Sequence, residues 1–152
     1  MNQDKIQANN YEIQNTYMGK IPYNSDLLEQ INNFCIENKI QCGNVNVIGA
    51  VQKAEIGYYS QDKQEYEIIK DEALTKGLEI VSCTGNISLK NSIPFAHLHI
   101  VLSNSKGSTY GGHLMPGTII YAGEFIIHKF KGNELKRAFD EKTKLPLWEM
   151  EK

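Results

Sequence analysis

Residues 95–115 read FAHLHIVLSNSKGSTYGGHLM, and the strict alternation at their start decides the architecture. In an extended strand neighbouring side chains point to opposite faces, so His97 and His99 present two imidazoles side by side, about 6.5–7 Å apart along the chain. Leu98 and Ile100 face the other way, into apolar packing. The following NSKGSTYGG holds the Asn, Ser and Gly signals of a reversal, after which a returning strand brings His113 across from the pair. Gly111 and Gly112, directly before His113, ask for backbone freedom or a close approach that a merely structural turn does not need.

Outward from that pair the same period of two recurs. NVNVIGAVQ, AEIGYY, YEIIK, LEIVSCTGNIS and TIIYAGEFIIHKF are rich in β-branched and aromatic residues, which predicts a largely antiparallel sheet from Asn44 onward. Upstream, IPYNSDLLEQINNFCIENKIQCG predicts a helix, with Asn24 or Ser25 as its cap, Asp26 and Glu29 at its positive end, and Gly43 where a left-handed residue closes it. Its buried stripe is Leu27 or Leu28, Ile31, Phe34, Cys35 and Ile36. The fold class is α+β: one compact domain whose central, mostly antiparallel sheet is flanked by a helix. Residues 1–19 form an N-terminal segment with one edge strand, residues 20–131 the domain proper, and residues 132–152 a tail packed on the same domain. Within the tail, ELKRAFDEKTKLPLWEM reads as a short helix before Pro146, with Leu147 and Trp148 as anchors. The charged SQDKQEYEIIKDEALTKG reads as a solvated hairpin or excursion from the sheet.

A chain of 152 residues is long enough for one domain that buries about two thirds of its unfolded surface. Apolar residues at 41% and charged residues at 22% are ordinary for a globular protein and exclude a disordered or coiled-coil class. No apolar run reaches the roughly 18 residues of a membrane span, and Met1 to Asn10 is polar, so a cytoplasmic protein with no membrane partner is expected. Cys35, Cys42 and Cys83 form an odd set without Cys-x-x-Cys spacing and are expected as core thiols. The net charge is −2, and Arg137 is the only arginine among 16 basic residues. That balance argues against a single chain held to nucleic acid by bulk electrostatics or by bidentate guanine contacts.

Three neutral imidazoles suit zinc or another divalent ion, and three ligands rather than four leave a position for water or a substrate. The metal candidates are therefore His97, His99 and His113. Histidines on strands are more often surface or satisfied core residues; the Gly-Gly-His element is what tilts this set toward a site. Glu124 is the nearest carboxylate downstream and the sole catalytic candidate; it would orient an imidazole, serve as a base, or simply pair with a lysine. Glu79, between Leu78 and Ile80, is either buried and paired or on the wet face of its strand. His128, near KFKGN, reads as a solvated strand residue.

In order along the chain, DLLEQI, NVIGAV, LEIVSCTGNIS, HLH and GGHLMPGTIIYAGEFII follow the pattern of the plants and prokaryotes conserved (PPC) domain, which the chain resembles over roughly residues 20–130. KRAFDEKTKLPL is similar to that family's ending. The family occurs alone in bacteria and archaea and is joined to AT-hook segments in plant nuclear proteins. The resemblance implies an α/β domain with a mostly antiparallel sheet, assembled as a homotrimer. It also implies a metal site, usually zinc, near a subunit boundary, formed by the histidines that match its His-x-His and Gly-Gly-His elements, here His97, His99 and His113. Glu124 matches an acidic position of the family. Association with the plant proteins implies a DNA partner, yet this chain lacks the Arg-Gly-Arg core with which an AT-hook enters the narrow minor groove. Two functions follow from these expectations. One is a small trimeric zinc module, regulatory or DNA-binding in use, whose open position holds a small anionic or hydroxylated ligand. The other is a zinc-dependent hydrolase or lyase acting on a small molecule.

Overall fold

Residues 5–150 are described by a computed structural model of the chain. Its elements are β1 (Glu12–Ile21), α1 (Leu27–Glu37), β2 (Gly43–Lys53), β3 (Ile56–Ser60), β4 (Glu65–Ile68), a 3₁₀ turn (Glu72–Thr75), β5 (Leu78–Lys90), β6 (Ile93–Ser103), β7 (Thr109–Leu114), β8 (Ile119–Lys131), β9 (Arg137–Phe139) and β10 (Pro146–Trp148). Eight strands form one sheet in the order β1-β8-β2-β5-β6-β7-β3-β4, and β9 pairs with β10 separately. Their pairings are antiparallel throughout. Among the described residues the domain is thus mostly β with a single α-helix, and β1, at one edge of the sheet, runs past residue 19 into the domain proper.

The cap of α1 is Asp26, whose carboxylate accepts from the Glu29 amide at 3.0 Å. Neither Asn24 nor Ser25 takes that role: Asn24 adopts a positive φ of 61°, and the Ser25 hydroxyl donates to the Pro22 carbonyl. The helix also ends before Gly43. Asn38 donates from its amide and its side chain to the last carbonyls, Lys39 takes the left-handed conformation at φ 52°, and Gly43 opens β2 instead. Leu27, Ile31 and Cys35 are buried, with Leu28 and Phe34 packed beside them. Ile36 is 47% exposed, because one residue past Cys35 is a 100° step off the stripe.

The core lies between α1 and one face of the sheet. Ala96, Leu98, Ile100 and Leu102 of β6 join Val45, Val47, Cys83, Ile87, Ile120 and Ile127 there. Asn32 of α1 accepts from the Ala96 amide at 2.9 Å, tying the helix to the strand next to His97. The three cysteines are buried and free, and burial pushes the Cys35 and Cys83 thiols up to about 12. On the opposite face the register lines up Thr16, His128, Asn44, Asn86 and His97 in one cross-strand row. The next row is Met18, Ile126, Asn46, Thr84, His99 and His113.

The tail forms a hairpin rather than the expected helix. Asp140 accepts from the Thr143 amide and hydroxyl at 2.7 Å each, its own amide donates to the Leu145 carbonyl, and Lys144 sits at φ 59°. Side-chain capture of a nearby amide is turn chemistry, and it outweighs the helical propensity of the surrounding charged residues. Leu147 and Trp148 remain 41% and 42% exposed, so they are not buried anchors. Among the described residues no helix is long and apolar enough to cross a membrane.

Candidate metal centre

β6 presents His97 and His99 on the face away from α1, and β7 places His113 directly opposite His99. His97 then stands one diagonal step from His113, within reach of a ring-bearing side chain. The three ring centroids are 5.0–5.5 Å apart. The Nε2 atoms of His97 and His99 are 3.2 Å apart, and one ligand-capable atom from each histidine lies within 4.8 Å of the others. Two nitrogens bound at about 2.0–2.1 Å to one tetrahedral ion stand about 3.3 Å from each other, so this spacing fits a shared divalent ion. An N–H···N bond between opposite tautomers also accounts for 3.2 Å, but it leaves His113 out. The Nδ1 of His113 is buried without a hydrogen-bond partner, a condition that buried polar atoms seldom tolerate unless something else satisfies them.

Two glycines let the strands close up around the site. Gly85 of β5 pairs with Leu98, and a β-carbon there would collide with the His97 carbonyl oxygen. A β-carbon on Gly112 would lie 2.7 Å from the Gly57 carbonyl oxygen, so glycine lets β7 sit against β3. The Gly-Gly element therefore serves close approach; neither Gly111 nor Gly112 has a positive φ.

Burial, reinforced by the neighbouring imidazoles and by Arg137, pushes His97 and His113 down to about 4. Both rings are neutral at neutral pH, which is the state that ligates a metal. Two further residues border the cluster, and no motif in the sequence assigns either of them to it. Tyr66 of β4 stacks on His113 with centroids 4.6 Å apart and an interplanar angle of 29°. Arg137 of β9 donates to Ser88 Oγ at 2.8 Å, to the Pro146 carbonyl at 2.9 Å and to Asn86 Oδ1 at 2.8 Å. Asn86 is the cross-strand neighbour of His97. The β3–β4 hairpin and the 140–145 turn also touch, through Tyr59 to the Thr143 carbonyl at 2.6 Å and Gln64 to the Lys142 carbonyl at 3.3 Å. What reads in sequence as a solvated excursion thus supplies a wall of the histidine cluster. The one signal for Arg137 is its being the single arginine; Tyr66 has none beyond strand alternation.

Glu124 lies elsewhere. It is exposed on β8, opposite Lys20 and Ile48, and β8 is separated from β6 by β2 and β5. At about 4.8 Å per strand that offset is about 14 Å, too far for contact with the histidines of its own chain. Among the described residues the metal-capable group contains no carboxylate. Glu79 occupies the wet face of its strand, opposite Ala50 and Ser103. His128 is half-buried with Nδ1 2.9 Å from the Thr16 hydroxyl, so it is more constrained than a solvated residue.

The sequence profile of the Plants and Prokaryotes Conserved (PCC) domain matches residues 8–131. A metal-containing protein from Archaeoglobus fulgidus superimposes with a TM-score of 0.86 at 39% identity, covering 95% of this chain and 98% of that one. A plant- and prokaryote-conserved protein from Pyrococcus horikoshii gives 0.87 at 34% identity, covering 97% and 99%. A candidate DNA-binding protein from Bacteroides thetaiotaomicron gives 0.82 at 28% identity, covering 94% and 98%. Over 103 residues, 67% of this chain, the sequence is also 28% identical to the bifunctional protein GlmU of a Synechococcus strain. That stretch spans 15% of the curated relative's length.

Proposed function

The chain belongs to the Plants and Prokaryotes Conserved domain family, and from that premise we propose a small homotrimeric metal-binding module. His97, His99 and His113 hold one divalent ion, zinc foremost, and leave a position for a small ligand. The observation that carries this reading is the 3.2 Å approach of the His97 and His99 Nε2 atoms beside the orphaned Nδ1 of His113. The metal-containing Archaeoglobus relative, at 39% identity over nearly the whole chain, supports it. Bound there, the ion would supply Lewis acidity toward one atom of the ligand. The chain's own residues do the rest: burial keeps two imidazoles neutral, Gly85 and Gly112 set the strand spacing, and Tyr66 covers one face of His113.

The trimer is supported by the sheet face that bears the histidines. Met18, Ile48 and Val101 on that face are 76%, 56% and 40% exposed, apolar side chains that a neighbouring subunit would cover. His99 shares the face, which fits a site close to a subunit boundary. Three free thiols fit a reducing cytoplasm. The Bacteroides relative makes duplex DNA a further candidate partner, but a net charge of −2 and one half-buried arginine offer a single chain little to phosphates. A hydrolase or lyase is the less favoured reading, because Glu124 stands three strands from the histidines.

Zinc titration of metal-free protein by calorimetry, with sedimentation analysis, tests the proposal. One zinc per chain in a trimer is expected, and no uptake by a His97→Ala, His99→Ala, His113→Ala variant. A parent protein that takes up no zinc overturns the reading. Duplex DNA bound tightly at low salt, and released as salt rises, would move nucleic acid to the front.

A further inference from the structure

We infer that Arg137 is the anion-recognition residue of the histidine centre: a small oxyanion, carboxylate or phosphate, sits between the position the three histidines leave open and the Arg137 guanidinium. The inference rests on the metal reading above and goes beyond it by naming the ligand class and the residue that selects it.

Arg137 is half-buried, yet its three hydrogen bonds go to neutral acceptors: a hydroxyl, an amide oxygen and a backbone carbonyl. Among the described residues no carboxylate forms an ion pair with it; the four ion pairs all belong to lysines. A charge withdrawn from water is normally matched by an opposite one. A structural role as the pin of the β9–β10 hairpin explains the three bonds but not the missing counter-charge.

Its position supplies the link to the histidines. Asn86, which accepts from Nη2, is the strand neighbour of His97. A divalent ion among three neutral imidazoles would add its charge to that of Arg137, with no carboxylate in the group to balance either. An oxyanion resolves both excesses at once. The guanidinium is also held ready for it: Phe95 and Trp148 lie 5.6 and 5.5 Å from its central carbon, and three of its five N–H donors are engaged, which leaves two. A planar fork fixed in this way matches the paired oxygens of a carboxylate or a phosphate.

Because Arg137 is the only arginine, arginine-selective ¹⁵N labelling gives one side-chain Nε–H signal, assigned without ambiguity. Zinc-loaded protein is titrated with acetate, and separately with inorganic phosphate, against chloride at equal ionic strength. A saturable shift of that signal with either oxyanion is expected, and the anion that saturates first identifies the source. An Arg137→Gln variant should keep its zinc and bind the same anion about 10- to 100-fold more weakly, the range expected for loss of a charged hydrogen bond. If removing the pin prevents the variant from folding, the wild-type titration and an Arg137→Lys variant, which keeps the charge, still decide. An arginine signal unmoved by both oxyanions, or parent-like anion affinity in zinc-loaded Arg137→Gln, overturns the inference. Zinc content is counted separately: a parent without zinc defeats the metal reading, whereas zinc without an anion response defeats only this one.

Discussion

On one face of β6, Ala96, Leu98, Ile100 and Leu102 are buried against α1 and the neighbouring strands; on the other, His97 is half-buried and His99 and Val101 are exposed. The first face is governed by area. Any well-fitting apolar side chain serves there, because removal from water is non-directional. The second is governed by direction. His97 there, and His113 beside it on β7, lose solvation, and the His113 Nδ1 is left without a partner, so that face of the sheet opposes folding in the metal-free chain unless a ligand compensates. One strand therefore divides its labour residue by residue, stability on one side and recognition on the other.

Substitutions that strike one face at a time sharpen this contrast. Leu98→Ala, at a position 1% exposed, is expected to destabilise the protein by about 2–5 kcal/mol in urea unfolding while the folded fraction keeps its zinc. A loss under about 1 kcal/mol would mean that the apolar face is not what holds the strand. Across the strand, His99→Ala should leave the metal-free protein within about 0.5 kcal/mol of the parent, since the side chain is exposed. What it should remove is the zinc-dependent stabilisation, about 2.7 kcal/mol in the parent when free zinc is 100 times its dissociation constant. Thermal melts with and without zinc read both quantities.

Acid comes next. His97 and His113 take protons at about 4 in the folded chain and near 6.5 when unfolded, so the unfolded state gains protons first. Metal-free protein should lose stability as the pH falls from about 6.5 towards 4, and show no contribution from these groups above that window. A His97→Ala, His113→Ala variant should flatten the slope; an unchanged slope would place its origin elsewhere. The smallest effect belongs to Tyr66. Tyr66→Phe should be nearly neutral, whereas Tyr66→Ala should cost about 0.5–1.5 kcal/mol through loss of the stack on His113, visible as a lower melting temperature.

Both faces of β6 are legible in the amino-acid sequence through its period-two alternation. The reversal signals before Gly111 likewise put His113 opposite His99, because antiparallel register is local information. The helix is legible too, but its ends are not: Asp26 and Lys39 are set by which side chain reaches a free amide and which residue tolerates positive φ. The tail misleads because charged, Pro-bounded segments satisfy helix and turn rules alike, and Asp140 settles the matter through its bonds to Thr143. Tyr66 and Arg137 reach the site from β4 and β9, far along the chain, where no sequence period reports proximity. For Glu124 the strand order within the chain, which sequence distance from His113 does not report, sets it three strands from β6.

The most direct test is a metal count by mass spectrometry on untagged protein purified from metal-replete cells, beside the triple His97→Ala, His99→Ala, His113→Ala variant. One divalent metal per chain in the parent and none in the variant is the predicted result. Parent protein without metal, or equal metal in both, would contradict the account.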